Sequence, residues 1–149
     1  MKNSEVQQLQ RELNALIDYC VKNEVKNFTL NRILRKNAKI IEENVNEFRE
    51  DLPKELIDLS QKITDNGRVE FEKLSDEEKK KVSDLFNYGL AFASKEEKEQ
   101  YEELNKEYVE LMGEESDIQL YILEDISKIE KVDLPLPYDN VLIKFLKEE

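Results

Sequence analysis

The sequence predicts a mainly α fold: a helical hairpin with a long second helix, further short helices and a minor two-stranded β element. Three observations carry that reading. Only three glycines and three prolines stand among 149 residues, which disfavours a many-turned all-β chain. Apolar residues recur at steps of three and four over most of the length. Leu, Ile, Val and Phe number 45 of 149, above the roughly one-fifth below which a charged chain stays disordered. One core is affordable, so residues 1–149 are read as a single domain.

The elements follow in order. Ser4 is the expected cap of a first helix, with Glu5 in its first turn. Val6, Leu9, Leu13, Leu16, Ile17 and Cys20 form its apolar face. Asn23 to Asn27 is a short polar connection, and Thr29 is the expected cap of the next helix. There Leu34, Ala38, Ile41, Val45, Phe48 and Leu52 alternate steps of four and three, a heptad seam. The steps continue to Leu56, Leu59 and Ile63, with two fours meeting at Leu52. Pro53 stands at that point and predicts a kink or a fresh helix start. Asn66-Gly67 is read as the helix end. Arg68-Val69-Glu70-Phe71-Glu72 alternates as a one-faced strand would.

Ser75 with Glu78, and Ser94 with Glu97, are capping boxes that start two further helices. Val82, Leu85, Phe86 and Leu90 are the expected buried side of the first. Tyr101, Leu104, Tyr108, Leu111 and Met112 continue the second, and Gly113 stops it. Ile118, Leu120 and Ile122 alternate with their neighbours and form the second strand candidate, paired with 68–72. Ile126 and Ile129 lie in a short helical or irregular stretch. Leu134-Pro135-Leu136-Pro137 is extended. A final helix starts near Pro137 and turns Val141, Leu142, Phe145 and Leu146 inward.

Composition narrows function. Histidine is absent and Cys20 is the single cysteine, which excludes Ser-His-Asp and Cys-His chemistry, histidine metal ligands and an internal disulfide. Three isolated glycines leave no dinucleotide fingerprint or phosphate loop. A calcium loop aligned on Gly67 would put Lys62 and Lys73 at ligand positions, which rejects it. Glu103, Glu107 and Glu110 share a helix face, as do Glu43 and Glu47; a solvated face is the ordinary role of such acids. No catalytic residue, metal site or cofactor is expected. Cys20 falls on an apolar stripe and reads as a small buried hydrophobe. No uncharged apolar run of 18 residues and no leader-like N-terminal segment is present. A reducing, intracellular home is the simplest inference.

Charge is unevenly placed. The net charge is −12, which disfavours nucleic acid and anionic membrane as partners of the whole molecule. Residues 96–117 hold ten acids and two lysines, whereas Val25 to Ile41 holds Lys26, Arg32, Arg35, Lys36 and Lys39 and no acid. Three surfaces are therefore candidate contact sites: the basic face of Lys26, Arg32, Arg35, Lys36 and Lys39; the acidic face of Glu103, Glu107, Glu110 and Glu114; and an apolar patch of Phe86, Tyr88, Leu90 and Phe92. The patch lies in Leu85 to Ser94, ten residues without a charge. Such a run is either wrapped by core or partly exposed for a partner.

Residues 31–48, NRILRKNAKIIEENVNEF, resemble the long helix of small uncharacterised helical proteins encoded by tailed phages or prophages. The order of elements is similar too: a helical hairpin, a short strand, a charged helical pair, an apolar strand and a final helix. The resemblance implies a phage or prophage accessory protein, cytoplasmic in the host cell or a virion component. It carries no activity and no site residue.

Together these readings predict a non-enzymatic protein–protein interaction or assembly protein, docking a second copy or a heterologous chain. The alternative is an acidic, nucleic-acid-mimicking inhibitor of a nuclease or defence protein, acting through the carboxylates of 96–117. A carboxylate-metal hydrolase is the third reading.

Overall fold

The computed structural model describes residues 1–81 and 85–148, with the side chains of Leu85 and Phe86 outside that set. The expectations for Val82 and for those two side chains fall outside the described residues. Seven α-helices are described: α1 (Asn3–Lys22), α2 (Phe28–Asp51), α3 (Lys54–Glu72), α4 (Asp76–Lys80), α5 (Leu85–Phe92), α6 (Lys95–Gly113) and α7 (Leu136–Ile143), with a 3₁₀ turn at Ile126–Ile129. They form two compact units, Met1–Glu50 with Met112–Glu149, and Asp51–Leu111.

The mainly helical expectation holds, and the β element does not. Among the described residues there is no strand, only isolated bridges from Lys2 to Glu115 and from Leu123 to Leu146. Arg68 to Glu72 belongs to α3. Gly67 does not end that helix; it is buried within it, and no described glycine has a positive φ. A glycine inside a helix costs only about 1 kcal/mol against alanine, which tertiary packing readily overrides. Residues 116–122 belong to no helix and no strand.

In the first unit, the expected apolar face of α1 is buried through Val6, Leu9, Leu13, Leu16 and Cys20, with Ile17 partly so. These join Leu30, Ile33, Leu34, Ile41 and Val45 of α2, and Leu123, Ile129, Leu134, Val141, Leu142 and Phe145, in one cluster. Each fully buried aliphatic or aromatic side chain stabilises by about 1.5–3 kcal/mol relative to exposure. α1 packs against α7, where the Tyr19 and Tyr138 rings lie 4.6 Å apart. Pro137 falls in the first turn of α7, as expected.

Two caps differ from expectation. α1 starts one residue before Ser4, and the Glu5 carboxylate reaches back to accept the Lys2 backbone N–H at 2.6 Å. At α2 the cap is Asn27, not Thr29: its Oδ1 accepts the Leu30 N–H at 2.9 Å and its Nδ2 donates to the Lys128 carbonyl at 3.1 Å.

The 116–122 segment is held by a side chain. Asn37, fully buried on α2, donates from Nδ2 to the Tyr121 carbonyl at 2.9 Å, and its Oδ1 accepts the Tyr121 N–H at 2.8 Å. Nδ2 also donates to the Ile33 carbonyl at 3.1 Å. The amide thus satisfies both backbone groups of Tyr121, as a neighbouring strand would.

The second unit begins where proline interrupts the periodic run. α2 stops at Asp51 and Pro53 caps α3 with φ −59°, its carbonyl accepting the Leu56 and Ile57 N–H groups. The fresh start expected at Pro53 is what forms. Leu56, Leu59 and Ile63 are the buried apolar side chains of α3. α3 packs against α5, with Gly89 set on the α3 backbone: a Cβ there would stand 2.6 Å from the Ile63 carbonyl oxygen. The Ser94 capping box forms in full; at Ser75 the hydroxyl caps the helix, but its second bond is donated to the Glu78 carboxylate at 3.0 Å in place of the backbone bond of a box. Ser75 Oγ accepts the Glu78 N–H at 3.3 Å; Ser94 Oγ accepts the Glu97 N–H, and Glu97 Oε1 accepts the Ser94 N–H, each at 3.1 Å.

Candidate functional site

The basic segment meets an apolar groove where α1 hands over to α2. The C-terminal end of α1 builds one wall. Asn23 ends the helix, its N–H bonding the Tyr19 carbonyl at 3.0 Å and its Nδ2 the same oxygen at 2.9 Å. The chain then reverses through Glu24, at φ 52° the one positive-φ non-glycine residue among those described. The Val25 N–H reaches back to the Cys20 carbonyl at 3.0 Å and the Glu24 N–H to the Val21 carbonyl at 3.4 Å. This is the paired bonding of a Schellman motif, in which the left-handed position is usually glycine. Asn27 then caps α2, and Asn31, Leu34, Arg35 and Ala38 present a stripe of spacing three, one and three as the second wall.

The groove encloses 540 Å³ and is lined by Ile17, Cys20, Val21, Val25, Leu34 and Ala38, with Glu24, Lys26, Asn31 and Arg35 as its polar members. An apolar lining with a few polar groups is the usual make-up of a binding cleft. Val21 is 74% exposed and Phe28, at the head of α2, is 78% exposed. Cys20 is 5% exposed, and burial pushes its thiol above the ordinary range. It stays a neutral lining group rather than a thiolate nucleophile.

The structure divides the predicted basic face. Lys26 and Arg35 line the groove. Arg32 and Lys39 are exposed on α2. Lys36 sits over the Tyr121 ring, 4.3 Å from its centroid, a cation–π contact that ties it to the Asn37 clamp. Among the described residues, none of these five cations is in an ion pair.

The predicted acidic residues are all exposed. Glu103, Glu107 and Glu110 lie on α6, while Glu114 follows its end, its carbonyl accepting the Asn3 N–H at 2.9 Å. Among the described residues none of the four enters an ion pair. A smaller groove of 330 Å³ between α3 and α6 is lined by Leu52, Leu56, Ile57, Tyr101 and Tyr108 with uncharged Ser60, Gln61, Thr64 and Asn105. Burial raises the Tyr101 hydroxyl above its ordinary range. The Ser94 backbone N–H, then its hydroxyl, hold Glu97 below the usual carboxylate range, with Lys62 at 3.6 Å adding to the effect.

Of the apolar patch, Phe86 lies outside the described side chains. Tyr88 and Leu90 are half-buried and Phe92 is 38% exposed. Tyr88 stacks edge-on between Phe71, 6.2 Å away, and Phe92, 4.8 Å away. These aromatic side chains are engaged with each other, which leaves Phe92 as the most open part.

Among the described residues, no group of three or more Cys, Asp or Glu is placed to hold a metal ion, and no helix is long and apolar enough to cross a membrane. No protein-family model, curated protein or solved structure matches this chain.

Proposed function

We propose that this chain is a non-enzymatic protein–protein interaction module that docks its partner at the groove between α1 and α2. One observation carries the reading: the exposed cations Lys26 and Arg35 stand at an apolar cleft, in the one segment of a −12 chain that has five cations and no acid. Apolar contact supplies affinity there, and the cations supply orientation and encounter rate. The resemblance to phage proteins adds an accessory or assembly role and no further residue.

The test is capture by the full-length protein from its source cells, with wild type and the Lys26→Glu/Arg35→Glu variant compared. A partner held by the first and lost by the second is the expected result. Equal capture by both would remove the groove from the reading.

The acidic inhibitor remains the second reading, supported by exposed Glu103, Glu107 and Glu110 on one helix. Replacing all three by lysine would abolish inhibition of a nucleic-acid-binding target under that reading and leave groove docking intact.

A further inference from the structure

We infer that the occupant of the groove is an acidic amphipathic α-helix presented by a partner protein; this rests on the docking reading above and names its ligand. The two long walls of the groove are α1 and α2, joined at one end by Glu24 to Lys26, and no strand lines it, so no strand edge is offered to an extended peptide. The remaining way to engage such a surface is a helix that inserts apolar anchors one turn apart. The floor (Ile17, Val21, Leu34 and Ala38) suits those anchors. Lys26 and Arg35 at the polar margin select carboxylates beside them, and exposed Arg32 and Lys39 extend the positive field along α2. The net charge of −12 opposes an acidic helix in general, whereas Val25 to Ile41 holds five cations and no acid, so this segment favours its approach.

Glu24 supports this from a different direction. It is the one acid lining the groove, and it holds a left-handed conformation that costs an L-residue roughly 1–2 kcal/mol. The Schellman bonds that end α1 hold that conformation and keep Glu24 at the groove. A carboxylate there disfavours acids at the α1 end and biases the helix to lay its acidic side toward Lys26 and Arg35.

The probe is a synthetic peptide with the sequence of residues 95–113. It carries seven glutamates and three lysines, with Tyr101, Leu104, Tyr108 and Leu111 spaced three, four and three. Two controls are the same peptide with every Glu replaced by Lys, and an equal-composition scramble without the apolar stripe. Binding to the intact protein is read by anisotropy, and groove occupancy by backbone amide resonances of the lining residues Val21, Leu34 and Ala38. The acidic peptide is expected to bind saturably and to shift those resonances, while neither control does. Lys26→Glu/Arg35→Glu should weaken binding by about tenfold or more, Lys26→Gln/Arg35→Gln by less, and Glu24→Gly should tighten it. Circular dichroism checks that these surface variants stay folded.

Binding that leaves the Val21, Leu34 and Ala38 resonances unmoved, equal binding of the scramble, or no loss on charge reversal overturns the inference. So does a shift of those resonances by dodecanoate and not by the peptide, which would make the groove an anionic-amphiphile site. Concentration-dependent dimerisation abolished by Arg35→Glu would make a second copy the occupant and also overturn it. If capture is lost in Lys26→Glu/Arg35→Glu yet the peptide fails to bind, the docking reading stands and only the occupant is wrong.

Discussion

In the unit built from residues 1–50 and 112–149, sixteen buried apolar side chains form one cluster drawn from both ends of the sequence. In residues 51–111, the buried apolar side chains among those described are Leu56, Leu59 and Ile63, all on α3. The first unit is closed by contacts between distant residues, above all Asn37 with Tyr121. The second leans on local caps at Pro53, Ser75 and Ser94 and on the packing of α3 against α5, tightest at Gly89. The lesson is that one chain uses two sources of order, and each fails to a different kind of substitution.

The largest effect is expected at Asn37. Asn37→Ala strips the Tyr121 N–H and carbonyl of their partners in a buried place and opens a void, for a loss of about 3 kcal/mol. Urea unfolding measures it, and loss of amide protection around Tyr121 should accompany it. A change below about 1 kcal/mol would mean that water replaces the amide and that the first unit does not depend on this clamp.

Gly89→Ala comes next. Its Cβ would press on the Ile63 carbonyl, and backbone cannot step aside as a side chain can, so a loss of about 2 kcal/mol is expected. Hydrogen exchange should rise in α3 and α5 and stay unchanged around Leu9, Ile41 and Phe145. Equal loosening of both sets would erase the contrast between the units.

Ser94→Ala removes a cap, for about 1 kcal/mol. It also bears on pH. The folded protein holds Glu97 below its unfolded value, so that carboxylate stabilises the fold above the ordinary carboxylate range. The contribution fades as acid is added and is gone below the lowered folded value. In the variant the Glu97 resonance should titrate nearer the ordinary range, and the acid-side stability slope should shrink. The smallest effect has the opposite sign. Glu24→Gly relieves the left-handed strain and should raise stability by up to about 1 kcal/mol, in the first unit alone.

What could be read from the sequence was local chemistry. The inward face of α1, the break at Pro53, the Ser94 capping box and the Ser75 cap depend on residues within one or two turns and formed as expected; Val141 and Leu142 are buried on α7, but Phe145 and Leu146 lie past its end. Gly67 was misleading because its signal for a helix end is the same whether the residue terminates a helix or is buried in one. The alternation of Ile118, Leu120 and Ile122 does not form a strand, and Ile122 is exposed. The partner of that segment, through Tyr121, is a side chain 84 positions away, which no local pattern announces. Asn37 lies one turn from Ile33 and Ile41, and a polar residue amid that apolar stripe was the available hint of a buried amide. The five cations were legible as a cluster. That two of them border an apolar cleft was not, because the other wall comes from α1 and from a reversal at a non-glycine residue.

The Asn37–Tyr121 bond has a temporal side. A ribosome adds about 5–20 residues per second, so Tyr121 follows Asn37 by roughly 4–17 s. For that interval α2 carries a polar amide with nothing beyond its own helix to hold, next to Ile33, Leu34 and Ile41 still awaiting Leu123 and Phe145. The whole of residues 51–111 is synthesised in the meantime. The first unit therefore cannot close until residues 112–149 are made, after the whole of residues 51–111.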